Sequence, residues 1–63
     1  MTYRELIKLI ESAGWYAHRQ AGSHIVFRHP TRSGSVVVAG GGKLNRDVPE
    51  GTKNAILKKA GLK

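Results

Sequence analysis

The clearest pattern near the start of the chain is an apolar stripe at helical spacing. Thr2 followed three residues later by Glu5 is typical of a capping box, and Gly14 suits the left-handed residue that ends a helix. The pattern predicts an amphipathic helix over residues 3–13. Its buried positions recur every three or four residues and are Tyr3, Leu6, Ile7, Ile10 and Ala13.

The middle of the chain consists of short runs of extended character. The first run extends from Trp15 to Gln20 and the second from Ser23 to His29, with Ala21-Gly22 between them as a two-residue turn. Pro30 closes the second run. A valine-rich run from Ser35 to Ala39 follows, bounded by consecutive glycines. The sequence therefore predicts a hairpin and then a third strand.

A second helix follows a polar loop that extends through Arg46. Its start is ambiguous, since either Glu50 or Thr52 can open it, and it ends near Ala60. The order α-β-β-β-α predicts an α+β fold, with a three-stranded antiparallel sheet covered on one face by two helices. We expect residues 1–63 to form a single domain, because no repeat or internal boundary is visible.

Composition adds charge to this picture. The 63 residues include no cysteine, so neither disulfides nor thiolate zinc sites support the small core. Eleven Lys and Arg against four Asp and Glu give a formal net charge of +7, which attracts nucleic acid or an acidic protein. No apolar run has membrane-spanning length and no secretory signal is visible, so we expect a cytoplasmic protein without a membrane partner.

Candidate chemistry centres on His24, on the second strand. An Ala21-Gly22 turn would pair Arg19 with His24 and Tyr16 with Phe27. Alternation would turn Ile25 and Phe27 toward the helices, and His24 and Arg28 toward solvent. An imidazole beside arginines can accept a proton next to a bound phosphate, although an exposed strand histidine can equally have no role.

Several other residues are candidates for RNA contacts. Gly22 allows a close backbone approach, and Ser23 offers a hydroxyl donor. Lys43 and Arg46 lie in the loop after the glycines, and Lys53 lies at the start of the second helix, where the helix dipole gives a lysine no benefit. Lys43 is not part of a P-loop, because a leucine follows it.

The other two histidines are interpreted as structural. The predicted pairing directs His18 toward the core beside Ile25, and His29 precedes Pro30 at a strand end. Three histidines without cysteine or clustered carboxylates give no metal-site spacing, so neither a metal nor another cofactor is expected.

The motifs of nearly the whole chain, taken in order, resemble the HicA family of bacterial toxins. The central motif is Gly22-Ser23-His24-x-x-Phe27. The other matching segments are the helix Leu6–Glu11, Gly14-Trp15, His29-Pro30, the valine strand, Pro49-x-Gly51-Thr52 and Ile56–Leu62.

The resemblance implies a fold like that of double-stranded RNA-binding domains and the toxin of a type II toxin-antitoxin system. It implies a metal-independent mRNA endoribonuclease with His24 as the catalytic residue, held inactive in a heteromeric complex with a HicB-type antitoxin. The chain departs from many relatives at Ile25 and at Val38-Ala39-Gly40, where they carry further polar or histidine residues. A second acid/base group at those positions is therefore absent.

Two other functions fit the same charge and element order. The first is a non-catalytic module that binds double-stranded RNA by shape, through phosphate and 2′-hydroxyl contacts. The second is a protein-interaction module whose basic surface serves an acidic partner. Both make His24 incidental.

Overall fold

The computed structural model describes residues 1–63 and has the predicted α-β-β-β-α order. The three strands form one antiparallel sheet in the order β1-β2-β3, which places β2 in the centre. Neither helix is long and apolar enough to cross a membrane. The elements are α1 (Tyr3–Ser12), β1 (Tyr16–Ala21), β2 (His24–Arg28), β3 (Val36–Val38) and α2 (Glu50–Lys59).

The predicted capping box begins α1. The Glu5 backbone N–H donates to Thr2 Oγ1 at 3.1 Å, and the Thr2 N–H donates to Glu5 Oε1 at 2.8 Å. These two bonds satisfy backbone donors that the first turn of a helix leaves free. Gly14 has a φ of +100°, so the predicted stop is also confirmed.

The start of α2 is now defined. The helix begins at Glu50, directly after Pro49, and no side chain caps its N-terminus. Proline tolerates this place because its missing N–H would have had no partner there. Gly61, with a φ of +80°, follows the last turn.

The turn between β1 and β2 is one residue later than the sequence analysis placed it. Gly22 and Ser23 form the turn, and Ala21 pairs with His24. Gly22 has a φ of +59° while Ser23 does not have a positive φ, as in a type II′ turn. The predicted pairing of Arg19 with His24 is therefore wrong, because Arg19 lies opposite Val26.

A β-bulge at His18 changes the alternation of β1. Arg19 lies opposite Val26 and Ala17 opposite Phe27, which leaves His18 as the extra residue. The expectation that His18 lies beside Ile25 on the core side is wrong, because Gln20 lies opposite Ile25 and His18 is exposed. Beyond the bulge, Tyr16 lies opposite Arg28 instead of Phe27.

Both helices pack on the same side of the sheet, because their buried residues share one core with Ile25 and Phe27 of β2 and Val36 and Val38 of β3. The other side, which bears His24, Val26 and Arg28 of β2, is called the open face below. All six residues of β1 are exposed, so the helices leave this edge strand uncovered. The core contains Tyr3, Leu6, Ile10, Trp15, Ile25, Phe27, Val36, Val38, Val48, Ile56 and Ala60.

Candidate functional site

His24 is the first residue of the central strand and directly follows the Gly22-Ser23 turn. It is exposed, and its imidazole takes part in none of the side-chain hydrogen bonds of the domain. No pocket surrounds it. Both ring nitrogens are therefore free to meet a large substrate on an open surface.

Two arginines share the open face with His24, at different distances. Arg19 lies two residues from Ala21, the partner of His24, and this diagonal relation spans roughly 7–8 Å between backbones. Arg28 lies four residues along β2, roughly 13 Å from His24. Arg19 is thus close enough to share one phosphate with His24, whereas Arg28 is placed for a neighbouring group.

The glycine-rich loop is tied to the hairpin turn. The Gly41 N–H donates to the Ser23 carbonyl at 2.9 Å, and a Cβ at Gly41 would lie 2.6 Å from Gln20 Nε2. The absence of a side chain at Gly41 permits this close approach. Lys43 lies two residues further along this loop, and its backbone N–H donates to the Gly40 carbonyl at 3.1 Å.

Arg46 and Lys53 are not brought to His24. The Arg46 carbonyl accepts from the Tyr3 N–H at 2.9 Å, which fixes this part of the loop at the start of α1. Lys53 is on α2, across the sheet from the open face, and its Nζ is 2.8 Å from Glu50 Oε2. Among the predicted RNA-binding residues, Lys53 is the one whose charge is paired with a carboxylate.

No acidic residue lies on the open face. The backbone N–H and the hydroxyl of Thr2 bond to Glu5 and lower the pKa of its carboxyl below the ordinary 4.5. A hydrogen bond and the charge of Lys53 lower the pKa of Glu50 in the same way. Both carboxyls therefore stay ionised at neutral pH. The four acidic residues are on the helices and the loop between β3 and α2: Glu5, Glu11, Asp47 and Glu50.

The family model described as HicA toxin of bacterial toxin-antitoxin matches residues 3–62. The chain belongs to the HicA toxin family. The resemblance seen in the sequence is thus confirmed, and a HicA protein is the toxin of a toxin-antitoxin system, with an antitoxin as its partner. No curated protein matches the chain.

The two departures from many HicA relatives differ in their structural consequence. Ile25 is buried on the helix-covered face, so a polar side chain there would point away from His24. Continuing the β2–β3 register beyond Ile25 and Val38 places Ala39 opposite His24. Only the departure at Ala39 removes a side chain from the surroundings of His24.

His29 is confirmed as a structural residue of this HicA chain. Its Nε2 donates to the Ala13 carbonyl at 2.9 Å, while Nδ1 accepts from the backbone N–H groups of Thr31 and Arg32 at 3.1 and 3.2 Å. Both ring nitrogens are thus engaged, and the ring packs edge-on against Trp15. No three His, Asp or Glu side chains of the domain are grouped closely enough to hold a metal ion.

Tyr16 is the residue of the open face that sequence reasoning misplaced. The predicted pairing with Phe27 put it on the core side, but the bulge puts it opposite Arg28. Tyr16 is 48% exposed, and the other aromatic residues, Tyr3, Trp15 and Phe27, are buried. A bulge gives no clear composition signal, so alternation alone could not have found this position.

Proposed function

We propose that this HicA toxin is a metal-independent endoribonuclease that cleaves mRNA with His24. The observation that carries the proposal is the position of His24, exposed at the hairpin turn on a face that has arginines and no acid. A ribose 2′-hydroxyl is a poor nucleophile until a base takes its proton, and a free imidazole serves this purpose near neutral pH.

The reaction is an internal displacement at phosphorus. An imidazole nitrogen of His24 takes the 2′-hydroxyl proton, and the oxygen lone pair forms a bond to the adjacent phosphorus. The bond from phosphorus to the 5′-oxygen breaks. The products are a 2′,3′-cyclic phosphate and a 5′-hydroxyl end.

Arg19 is the residue placed to stabilise the charge that builds on the phosphorane. Its diagonal position brings a guanidinium within reach of the phosphate next to the 2′-hydroxyl that His24 deprotonates. The Ser23 hydroxyl and Lys43 contact the same nucleotide from the turn and the docked loop, and Gly22 lets the RNA backbone approach. Arg28 and Arg46 hold phosphates further along the strand, and Lys53 contributes only if it leaves Glu50.

The 5′-oxygen needs a proton as it leaves. Ala39 supplies no acid opposite His24, and the ring nitrogens of His29 are engaged elsewhere. The proton therefore returns from the His24 imidazolium, directly or through one water. A single residue that acts as both base and acid predicts a slow enzyme, since one proton must be carried between two oxygens.

The partner is a HicB-type antitoxin that covers the open face in a heteromeric complex in the cytoplasm. An acidic protein segment over Arg19 and Arg28 would block RNA and bury His24 together, because all three lie on one surface. Inhibition then needs no change in the toxin fold.

The absence of a second proton-transfer group also supports the rival function, a non-catalytic module for double-stranded RNA. Incubation of purified protein with a long mRNA in excess EDTA separates the two. We expect fragments with 2′,3′-cyclic phosphate ends from the parent and from His18→Ala, and none from His24→Ala. His18→Ala is the matched control, because it removes an exposed histidine from the neighbouring strand. Tight binding without cleavage by the parent would favour the RNA-binding module.

A further inference from the structure

The open face carries an aromatic surface that the cleavage chemistry does not use. Tyr16 is 48% exposed, and its ring forms no aromatic pair. Val26 and Val37 lie opposite each other on the same face, and Val37 is 46% exposed. The face is therefore an apolar strip in which Val26 has Arg19 opposite it on β1 and Arg28 two residues further along β2.

The bulge at His18 is what assembles this strip. Tyr16 and Arg19 are three residues apart, and in a regular strand they would lie on opposite faces. The extra residue restores them to one face, opposite Arg28 and Val26 respectively. The local distortion of β1 thus places an aromatic ring among the arginines of the open face.

The pair formed by Tyr16 and Arg28 has the components of a base-binding site. Directly opposite residues on one sheet face have Cβ atoms roughly 4.5–5.5 Å apart. The phenol ring offers a flat apolar surface, and the guanidinium offers donors to a phosphate or a base edge. Single-stranded nucleic acids are bound by this combination of stacking side chains and backbone cations.

We propose that Tyr16, together with Arg28, binds one unpaired base of the RNA and so sets which phosphate reaches His24. The proposal rests on the proposed function in taking RNA as the ligand. The bound strand would run along β2 from Arg28, past Arg19, to His24, over roughly 13 Å. A base inside a duplex has both faces covered by its neighbours, so stacking on Tyr16 requires an unpaired one.

Charge favours RNA over a protein segment as the occupant of this strip in the free toxin. Arg19 and Arg28 are on the open face, which carries no carboxylate, whereas Glu50 neutralises Lys53 on the other side of the sheet. The phosphodiester backbone of RNA, with one negative charge per nucleotide, matches such a surface along its whole length.

Binding can be measured without cleavage in the full chain that carries His24→Ala. The probe is a short oligoribonucleotide with 2-aminopurine at one position, either single-stranded or annealed to its complement. We expect quenching of the single-stranded probe when the base stacks. Adding Tyr16→Ala should weaken binding by roughly five- to 140-fold, the range that base stacking gives per base. Tyr16→Phe, which keeps the ring, should restore it.

Leu9→Ala in the same background is the matched control, because Leu9 is an exposed apolar residue of α1, away from the sheet. Equal affinity of Tyr16→Ala and the control, or equal losses on single-stranded and duplex probes, would overturn the inference. Absence of RNA binding by the parent would overturn it together with the proposed function.

Cleavage assays with His24 intact separate the two proposals. A parent that cleaves, with an unchanged KM and cleavage pattern in Tyr16→Ala, retains the nuclease and refutes the base site. A parent that binds through Tyr16 without cleaving retains the base site and refutes the nuclease. We expect Tyr16→Ala to raise KM and to broaden the cleavage pattern, while His24→Ala abolishes cleavage.

Discussion

Substitution of Gly14 by alanine tests the assignment of His29 as a structural residue. Gly14 has a φ of +100°, and an added Cβ would lie 2.6 Å from His29 Nε2. The ring would have to move away from the Ala13 carbonyl that it now contacts. The substitution therefore strains the backbone and breaks a hydrogen bond at the same time.

The magnitude follows from these two effects. A non-glycine residue in such a conformation costs about 1–3 kcal/mol. A lost intramolecular hydrogen bond adds about 1 kcal/mol. A 63-residue domain has only about 3–9 kcal/mol of stability in total. Gly14→Ala should thus remove about 2–4 kcal/mol, and the melting temperature should fall by at least about 8 °C.

The assay is thermal and urea unfolding followed by circular dichroism, with Gly42→Ala as the control. Gly42 does not have a positive φ, and a Cβ there would meet nothing within 4 Å. Gly42→Ala should therefore be close to neutral. Equal stability of the two variants would refute the reasoning about Gly14 and the assignment of His29 as a structural residue.

Two further predictions concern acid stability and the missing acid of the site. Because hydrogen bonds hold the pKa of Glu5 below 4.5, its contribution is complete above that value and is lost as the pH falls through the folded-state pKa. Thermal melts across that pH range should show a smaller acid-induced decrease for Glu5→Gln than for the parent, and identical decreases would contradict the capping-box account. Ala39→His places an imidazole opposite His24, and we expect about a tenfold faster cleavage, a small part of what general acids contribute. An unchanged rate, with the fold intact, would show that protonation of the leaving oxygen does not limit the reaction.

The first helix and the face of the sheet on which His24 lies could be predicted because both depend on local patterns. The capping box and Gly14 define α1 from a few neighbouring residues. The side of the sheet on which His24 lies follows from alternation with the buried Ile25 and Phe27. These inferences do not require knowledge of which strand pairs with which.

The register of β1 could not be predicted in full, because two local irregularities act on it. Because the turn lies one residue later, each β2 residue pairs with a β1 residue two positions later than predicted. A shift of two residues keeps side chains on the same face, so Arg19 lies on the face where it was expected. On the far side of the bulge at His18, the pairing differs from the predicted one by a single residue. Tyr16 therefore lies on the opposite face from the one expected. A glycine at the first position of the turn is a sequence signal for a type II′ turn, whereas no residue of β1 signals the bulge.

The contacts of the loop between β3 and α2 could not be predicted from the sequence either. Whether Lys43 or Arg46 approaches His24 depends on the bond from Gly41 to Ser23 and on the contact of Arg46 with Tyr3. Both join residues far apart in the chain. Lys53 was predicted to contact RNA because the helix dipole does not stabilise a lysine at the start of a helix. In the structure its charge is instead paired with Glu50.

The most direct test of the central claim is the single-turnover cleavage rate of one RNA in EDTA by the parent and by His24→Ala. We expect His24→Ala to fold and to bind RNA, while its cleavage rate falls by about 10²–10⁴-fold, the contribution of a positioned acid–base group. His24 is exposed and makes no side-chain hydrogen bond, so its removal should not disturb the fold. A rate equal to that of the parent would contradict the assignment of His24 as the catalytic base.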